Sequence, residues 1–278
     1  MLFLILAILS SAMVSIGMRL SSDKISANLS MLAVNYLICA FLGALYAGFD
    51  LWLPQVSGFG RMTAIGTLAC VLYMGGFVML QRNVRSNGVV LSSVFMKLGL
   101  LIPILLSLVL FHEIPTAAQI AGFIIALCAI VLINLKQDSD ARGFGVGLIV
   151  LLLMGGCCDA MSKIYEVFGT AALSEQFLFY TFAVAFLLCA GMTVQKKERP
   201  GLRELVFGTL IGIPNFFSAK FLLLALTKLP AVVVYPSFSV ATLLLVTLTG
   251  VAVFRERLSK IQWMAMAAIV AALILLNI

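Results

Sequence analysis

The chain has 278 residues, of which 63% are apolar and 10% charged. Soluble domains carry about 25% charged residues, so this composition excludes a water-soluble fold. The net charge is +7, but the basic residues fall between apolar runs rather than in one patch, which points to anionic lipid and away from nucleic acid.

Inside a bilayer only helices and closed barrels satisfy their own backbone. Long unbroken apolar runs, in place of short alternating segments, predict helices. At about 20 residues per crossing, ten runs follow in chain order: 2–20, 30–49, 62–80, 89–111, 117–135, 144–162, 173–193, 204–226, 230–253 and 260–278. The first run has no charged segment before it and no small-residue cleavage site before the next, so it reads as a retained helix. Ser86-Asn87-Gly88, Pro115 and Arg199-Pro200-Gly201 punctuate the connections. The fourth and fifth runs, and the eighth and ninth, are joined so tightly that each pair must be antiparallel. All six cysteines (Cys39, Cys70, Cys128, Cys157, Cys158 and Cys189) lie inside apolar runs with no CxxC. They read as small packing residues, with no disulfide frame or metal site.

The chain repeats itself. Phe111, Glu113, Gln119 and Asn134 match Phe254, Glu256, Gln262 and Asn277 in one register. Gly66-Thr67-Leu68 matches Gly208-Thr209-Leu210, and Tyr36 matches Tyr180, within one residue of that register. Charged, amide and tyrosine matches carry weight that leucine matches would not. The expected organisation is two five-helix halves, 1–135 and 144–278, joined by the loop 136–143. An odd helix count inverts the second half. Inverted repeats build secondary transporters with a midplane site between the halves. Thirteen Lys and Arg lie in the odd-numbered loops and three in the even ones. The positive-inside rule then places both termini outside the cytoplasm.

Each half ends with an acidic turn before its last helix: Phe111-His112-Glu113, and Phe254-Arg255-Glu256-Arg257-Leu258. A Gln and a small-rich closing helix follow each turn, and Pro103 sits in the helix before the first. In this the chain resembles the drug/metabolite transporter superfamily, and more narrowly its EamA-like bacterial members. Glu113-Ile114-Pro115 departs from the pattern by lacking a basic residue after the glutamate. Members are often drawn with cytoplasmic termini, opposite to the loop-charge reading. The resemblance implies an all-α integral membrane protein of ten helices around a central cavity, which the fourth, sixth and eighth helices border.

Three ionisable residues lie well inside runs: Lys97, Asp159 and Lys220. Each costs on the order of 3 kcal/mol to insert, so each is a functional candidate. Asp159 and Lys220 lie at a similar depth, about 22 Å from the cytoplasmic ends of their helices. They are therefore candidates for an ion pair, leaving Lys97 as a substrate-side cation. The competing readings are that Lys220 snorkels to the interface and that Asp159 pairs with Lys163 along its own helix. Tyr73, Asn83, Asn215, Phe216, Phe217 and Tyr235 offer aromatic faces and amides to a small solute, or pack as ordinary core. Pro103, Pro214 and Pro236 are candidates for helix bends used in gating. Glu113 and Glu256 read as structural residues of the turns, and His112 as an interfacial histidine.

The expected function is secondary transport of an amino-acid-like, anionic or zwitterionic metabolite through a multi-pass bacterial inner-membrane protein. The rival within transport is export of hydrophobic or quaternary cations, or flipping of a lipid-linked molecule. The sequence has no HExxH, a single histidine and no nucleotide-binding glycine loop, so neither enzyme chemistry nor an ATP-driven pump is expected. No cofactor is called for, and the energy would come from the solute gradient or from coupled H+ or Na+. The expected partners are the solute and the bilayer, with the monomer as working unit and a homodimer as the other arrangement.

Overall fold

The structure is a computed structural model, described for residues 1–22, 24–25, 27–87, 92, 95–96, 98–110, 112, 114–134, 146–198, 201–253 and 260–278. Its helices are α1 (Leu2–Ser22), α2 (Asn28–Tyr46), α3 (Phe59–Asn87), α4 (Leu101–Leu110), α5 (Ala117–Asn134), α6 (Val146–Phe168), α7 (Ser174–Gln195), α8 (Leu202–Leu226), α9 (Ala231–Ala252) and α10 (Lys260–Leu276). One 3₁₀ turn, Ala171–Leu173, leads into α7. Among the described residues, seven helices are long and apolar enough to cross a membrane: α1, α2, α3, α6, α7, α8 and α9. The remaining three, α4, α5 and α10, are apolar but shorter. The chain is an α-helical, multi-pass membrane protein.

Two compact units emerge, and each combines a segment from the first half of the sequence with one from the second. The first comprises Met1–Met74 with Ile164–Ala225, the second Gly75–Lys163 with Leu226–Ile278.

In the first unit α2 is enclosed by α7 and α8, and small residues make this possible. A Cβ on Gly43 would meet the backbone of Phe179 on α7. A Cβ on Gly208 or Gly212 would meet Val34 and the carbonyls of Met31 and Asn35 on α2. Close backbone approach of this kind replaces the hydrophobic drive that lipid removes. Cys39 donates to the Gly212 carbonyl at 3.2 Å across the same contact.

The two ends of the α2–α7 pair are finished alike. At the end of α2, Gly48 adopts φ +64 while Gly48 and Phe49 donate back to Leu45 and Ala44. At the end of α7, Lys197 adopts φ +54 while Lys197 and Glu198 donate back to Val194 and Thr193. Both are Schellman turns, which satisfy the last helical carbonyls. The second turn also aims Glu198: its carboxylate accepts from the N–H groups of Leu29 at 3.1 Å and Ser30 at 3.2 Å. The N-cap residue of α2, Ala27, makes no side-chain cap hydrogen bond, so a distant glutamate does the capping.

In the second unit α5 packs along α10. Leu100, Ile104, Ala126, Ala129, Ile130, Val232, Val240, Ile269 and Ala272 form its core. Thr116 and Gln119 open α5 with a capping box, each backbone N–H donating to the other side chain. Gly99 and Leu100 turn before α4 begins at Leu101. The cause is Pro103, which has no N–H for the Gly99 carbonyl four residues back; Ile102 donates to that carbonyl instead, at 2.9 Å. A Cβ on Gly156 of α6 would run into that same carbonyl, so backbone meets backbone there. The turn at Gly99 and Leu100 lies one helical turn ahead of the proline. Pro214 and Pro236 both lie inside continuous helices, α8 and α9.

Candidate functional site

Unit one gathers aromatic rings from five helices. Tyr73 on α3 meets Tyr36 on α2 edge-on at 5.8 Å, and Tyr36 stacks on Phe182 of α7. Phe182 lies 6.3 Å from Phe216 on α8, and Phe216 stacks on Tyr46 at the end of α2 at 5.6 Å. Phe217 meets Tyr46 edge-on and stacks on Phe221, which in turn stacks on Phe3. Phe216 is fully buried at the middle of this train.

Beside Phe216 and Tyr46 sits a charge pair. The Lys220 ammonium is 2.7 Å from Glu175 Oε1, with side-chain exposures of 15% and 30%. It stands 3.5 Å from the Tyr46 ring centre and 6.0 Å from that of Phe216. An ammonium over an electron-rich face is attracted by the ring quadrupole, more so out of water. The second carboxylate oxygen, Glu175 Oε2, is buried with no hydrogen-bond donor among the described residues, as is Gln176 Oε1 beside it in sequence.

The local sequence explains the placement. Glu175 is in the first turn of α7, where the helix dipole favours an acid. Gln176 donates to the Asp50 carbonyl at 2.9 Å and Tyr180 to the Leu51 carbonyl at 3.1 Å, tying the start of α7 to the loop after α2. That tie holds Tyr46 and Glu175 at one end of the unit.

Asn215 donates to Asn35 Oδ1 at 3.2 Å, joining α8 to α2. Lys220, Phe216, Asn215 and Tyr73, all singled out from sequence, therefore belong to the first unit. Glu175 and Tyr46 were missed. Glu175 reads in sequence as a helix-start acid, and only its contact with α8 gives it another meaning. The carboxylate found on Lys220 is Glu175, whereas the expected partner, Asp159, belongs to the second unit.

There, Asp159 lies exposed on α6 and Lys163 is buried one turn on. Tyr235 of α9 donates to the Asp159 carbonyl at 2.8 Å, so these two candidates do meet, through backbone. Asn83 donates to the carbonyls of Met79 and Gly147, both at 2.9 Å, which fastens α3 to α6. Pro103 and Pro236 are buried in this unit and Pro214 in the first. His112 is exposed with φ +51, a left-handed turn after α4. Lys97, Glu113 and Glu256 lie outside the described residues. Among those described, no three His, Cys, Asp or Glu side chains form a metal site.

No family model matches the chain. An uncharacterized protein of Haemophilus influenzae is 26% identical over 274 residues, covering 94% of this chain and 92% of that protein. A crystal structure of a protein 17% identical in sequence gives a TM-score of 0.73, covering 99% of this chain and 94% of the other. That likeness is one of fold.

Proposed function

We propose that the chain is a secondary transporter of a small amino-acid-like metabolite, anionic or zwitterionic, working by alternating access in a bacterial inner membrane. The observation that carries this reading is the Glu175–Lys220 pair, opposite charges 2.7 Å apart on two long apolar helices. Charges are expensive in such helices and mark solute or ion paths. Aromatic faces beside them supply the apolar part of a solute site.

The ten-helix, inverted-repeat arrangement around a central cavity belongs to the same proposal, as does membership of the drug/metabolite transporter superfamily. Its support is periodic: Leu2 and Val146, Asn28 and Ser174, Phe59 and Leu202, and Ala117 and Lys260 begin helices 143 to 146 residues apart. The second and fifth helices of one half pack against their counterparts, α2 on α7 and α5 on α10. Lys97 keeps its proposed role as a further substrate-side cation, with H+ or Na+ as coupling ion and the monomer as working unit. Export of hydrophobic or quaternary cations is the second reading, favoured by the ring faces around Lys220.

Counterflow in proteoliposomes tests it. The wild type, preloaded with a mixture of zwitterionic and anionic amino acids, should take up at least one labelled member, and Glu175→Gln should lose that uptake. Folded protein that exchanges none of them, yet exchanges tetraphenylphosphonium, would replace the first reading with the second.

A further inference from the structure

We propose that Glu175, Tyr46 and Phe216 form a binding site for an organic ammonium group, which Lys220 fills from within. The lysine has what a ligand ammonium would seek: a carboxylate oxygen at 2.7 Å, a ring face at 3.5 Å and a second ring at 6.0 Å. Tyr46 and Glu175 come from helices α2 and α7, and they meet the stem of α8 at one place.

The carboxylate has capacity to spare. Oε1 accepts from Lys220, while Oε2 is buried without a donor among the described residues. A buried acceptor left without a donor is costly, and an ammonium carries three N–H groups. A ligand ammonium seated on this carboxylate would reach both oxygens, which gives it an advantage over the tethered one. The lysine is also displaceable. Its charge rides on a flexible four-carbon stem, and it keeps 15% of its side-chain surface exposed, so it can swing aside without moving α8.

Charge then selects the ligand, and this step rests on the transport reading above. Glu175 and Lys220 together are neutral. A bare organic cation would place two ammonium groups on one carboxylate, an arrangement that like charges disfavour. A zwitterion brings its own carboxylate for the displaced Lys220 and leaves the site neutral. The wild-type ligand is therefore a zwitterion, ammonium on Glu175 and Tyr46, carboxylate on Lys220. Without the lysine charge the site carries a net negative charge and its preference turns to simple amines.

Chemical rescue of the full chain in nanodiscs tests the cage. Lys220→Ala removes the atoms of propylammonium, so propylammonium chloride is the probe, against ionic strength matched with NaCl. At roughly tenfold excess over its Kd it should raise the melting temperature of Lys220→Ala by about 3–6 °C. It should leave the wild type and Glu175→Gln/Lys220→Ala unmoved. If Lys220→Ala is recovered folded only when propylammonium is present, that is rescue too. If it is not recovered at all, Lys220→Met with tetramethylammonium takes its place under the same expectation. An equal rise in all three proteins, or no rise in either lysine variant, overturns the cage.

The second arm uses norvaline and its decarboxylated counterpart, butylammonium. The wild type should be stabilised more by norvaline, and the lysine variant more by butylammonium. Rescue in the first arm with no preference for norvaline in the wild type would leave the ammonium cage standing and remove the zwitterionic substrate.

Discussion

The ammonium of Lys220 lies 2.7 Å from the carboxylate of Glu175, tying α8 to the first turn of α7. Removing one member of a buried ion pair costs about 3–5 kcal/mol, because the other charge is stranded. Glu175 keeps 30% of its side-chain surface exposed, so solvent reduces the loss. Glu175→Gln and Lys220→Met should each cost about 1–3 kcal/mol, and the double variant less than their sum. A double-mutant cycle by thermal unfolding measures it. Strict additivity would mean the two charges do not sense each other.

Glu198 tests whether a residue far along the chain caps α2. Glu198→Ala removes the acceptor for the Leu29 and Ser30 N–H groups. The expected loss is about 1–2 kcal/mol, or about 3–6 °C in melting temperature. Hydrogen exchange at Leu29 and Ser30 should quicken, with the core of α2 protected as before. Unchanged exchange at those two amides would show that the cap adds nothing.

Two glycines make a paired test of backbone packing. Gly156→Val places a branched side chain against the Gly99 carbonyl and Ile102, and should cost more than about 3 kcal/mol through forced separation of the backbones. Gly191 has nothing near its missing Cβ and lies inside α7, so Gly191→Ala should be neutral or gain up to about 1 kcal/mol. Folded yield from membranes separates the two. Comparable yields would argue against close contact at Gly156.

The loop charges make a prediction about orientation. With thirteen Lys and Arg in the odd loops and three in the even, alkaline phosphatase fused after Ile278 should be active, and inactive when fused within residues 195–203. The reverse pattern would turn the molecule over.

Helices were legible in the sequence because lipid leaves a plain signal. The apolar runs 204–226, 230–253 and 117–135 correspond to Leu202–Leu226, Ala231–Ala252 and Ala117–Asn134. The run 62–80 stops short of α3, which continues to Asn87. Its tail is polar, and Asn83 within it donates to the Gly147 carbonyl, a contact that local hydropathy does not carry. The same limit hid the site. Lys220 stood out because charge inside an apolar run is costly, whereas Glu175, at the start of a helix, cost nothing visible. Tyr46 and Glu198 likewise take their roles from partners on other helices. Tertiary partners of polar residues at helix ends are written in packing, and one sequence does not display it.

The pairing of α2 with α7 has a consequence for how the protein is made. When the ribosome has finished α2 at Tyr46, the helix it packs against does not begin until Ser174. At about 5–20 residues per second the gap lasts on the order of 6–26 seconds. Through that interval the first helices stand in the membrane with their small-residue faces turned to lipid and with α2 uncapped, since Glu198 has yet to be made. A chain cut after the first five helices would remain in this state for good, and membrane quality control should remove it quickly. Supplying the missing segment as a second polypeptide should rescue it.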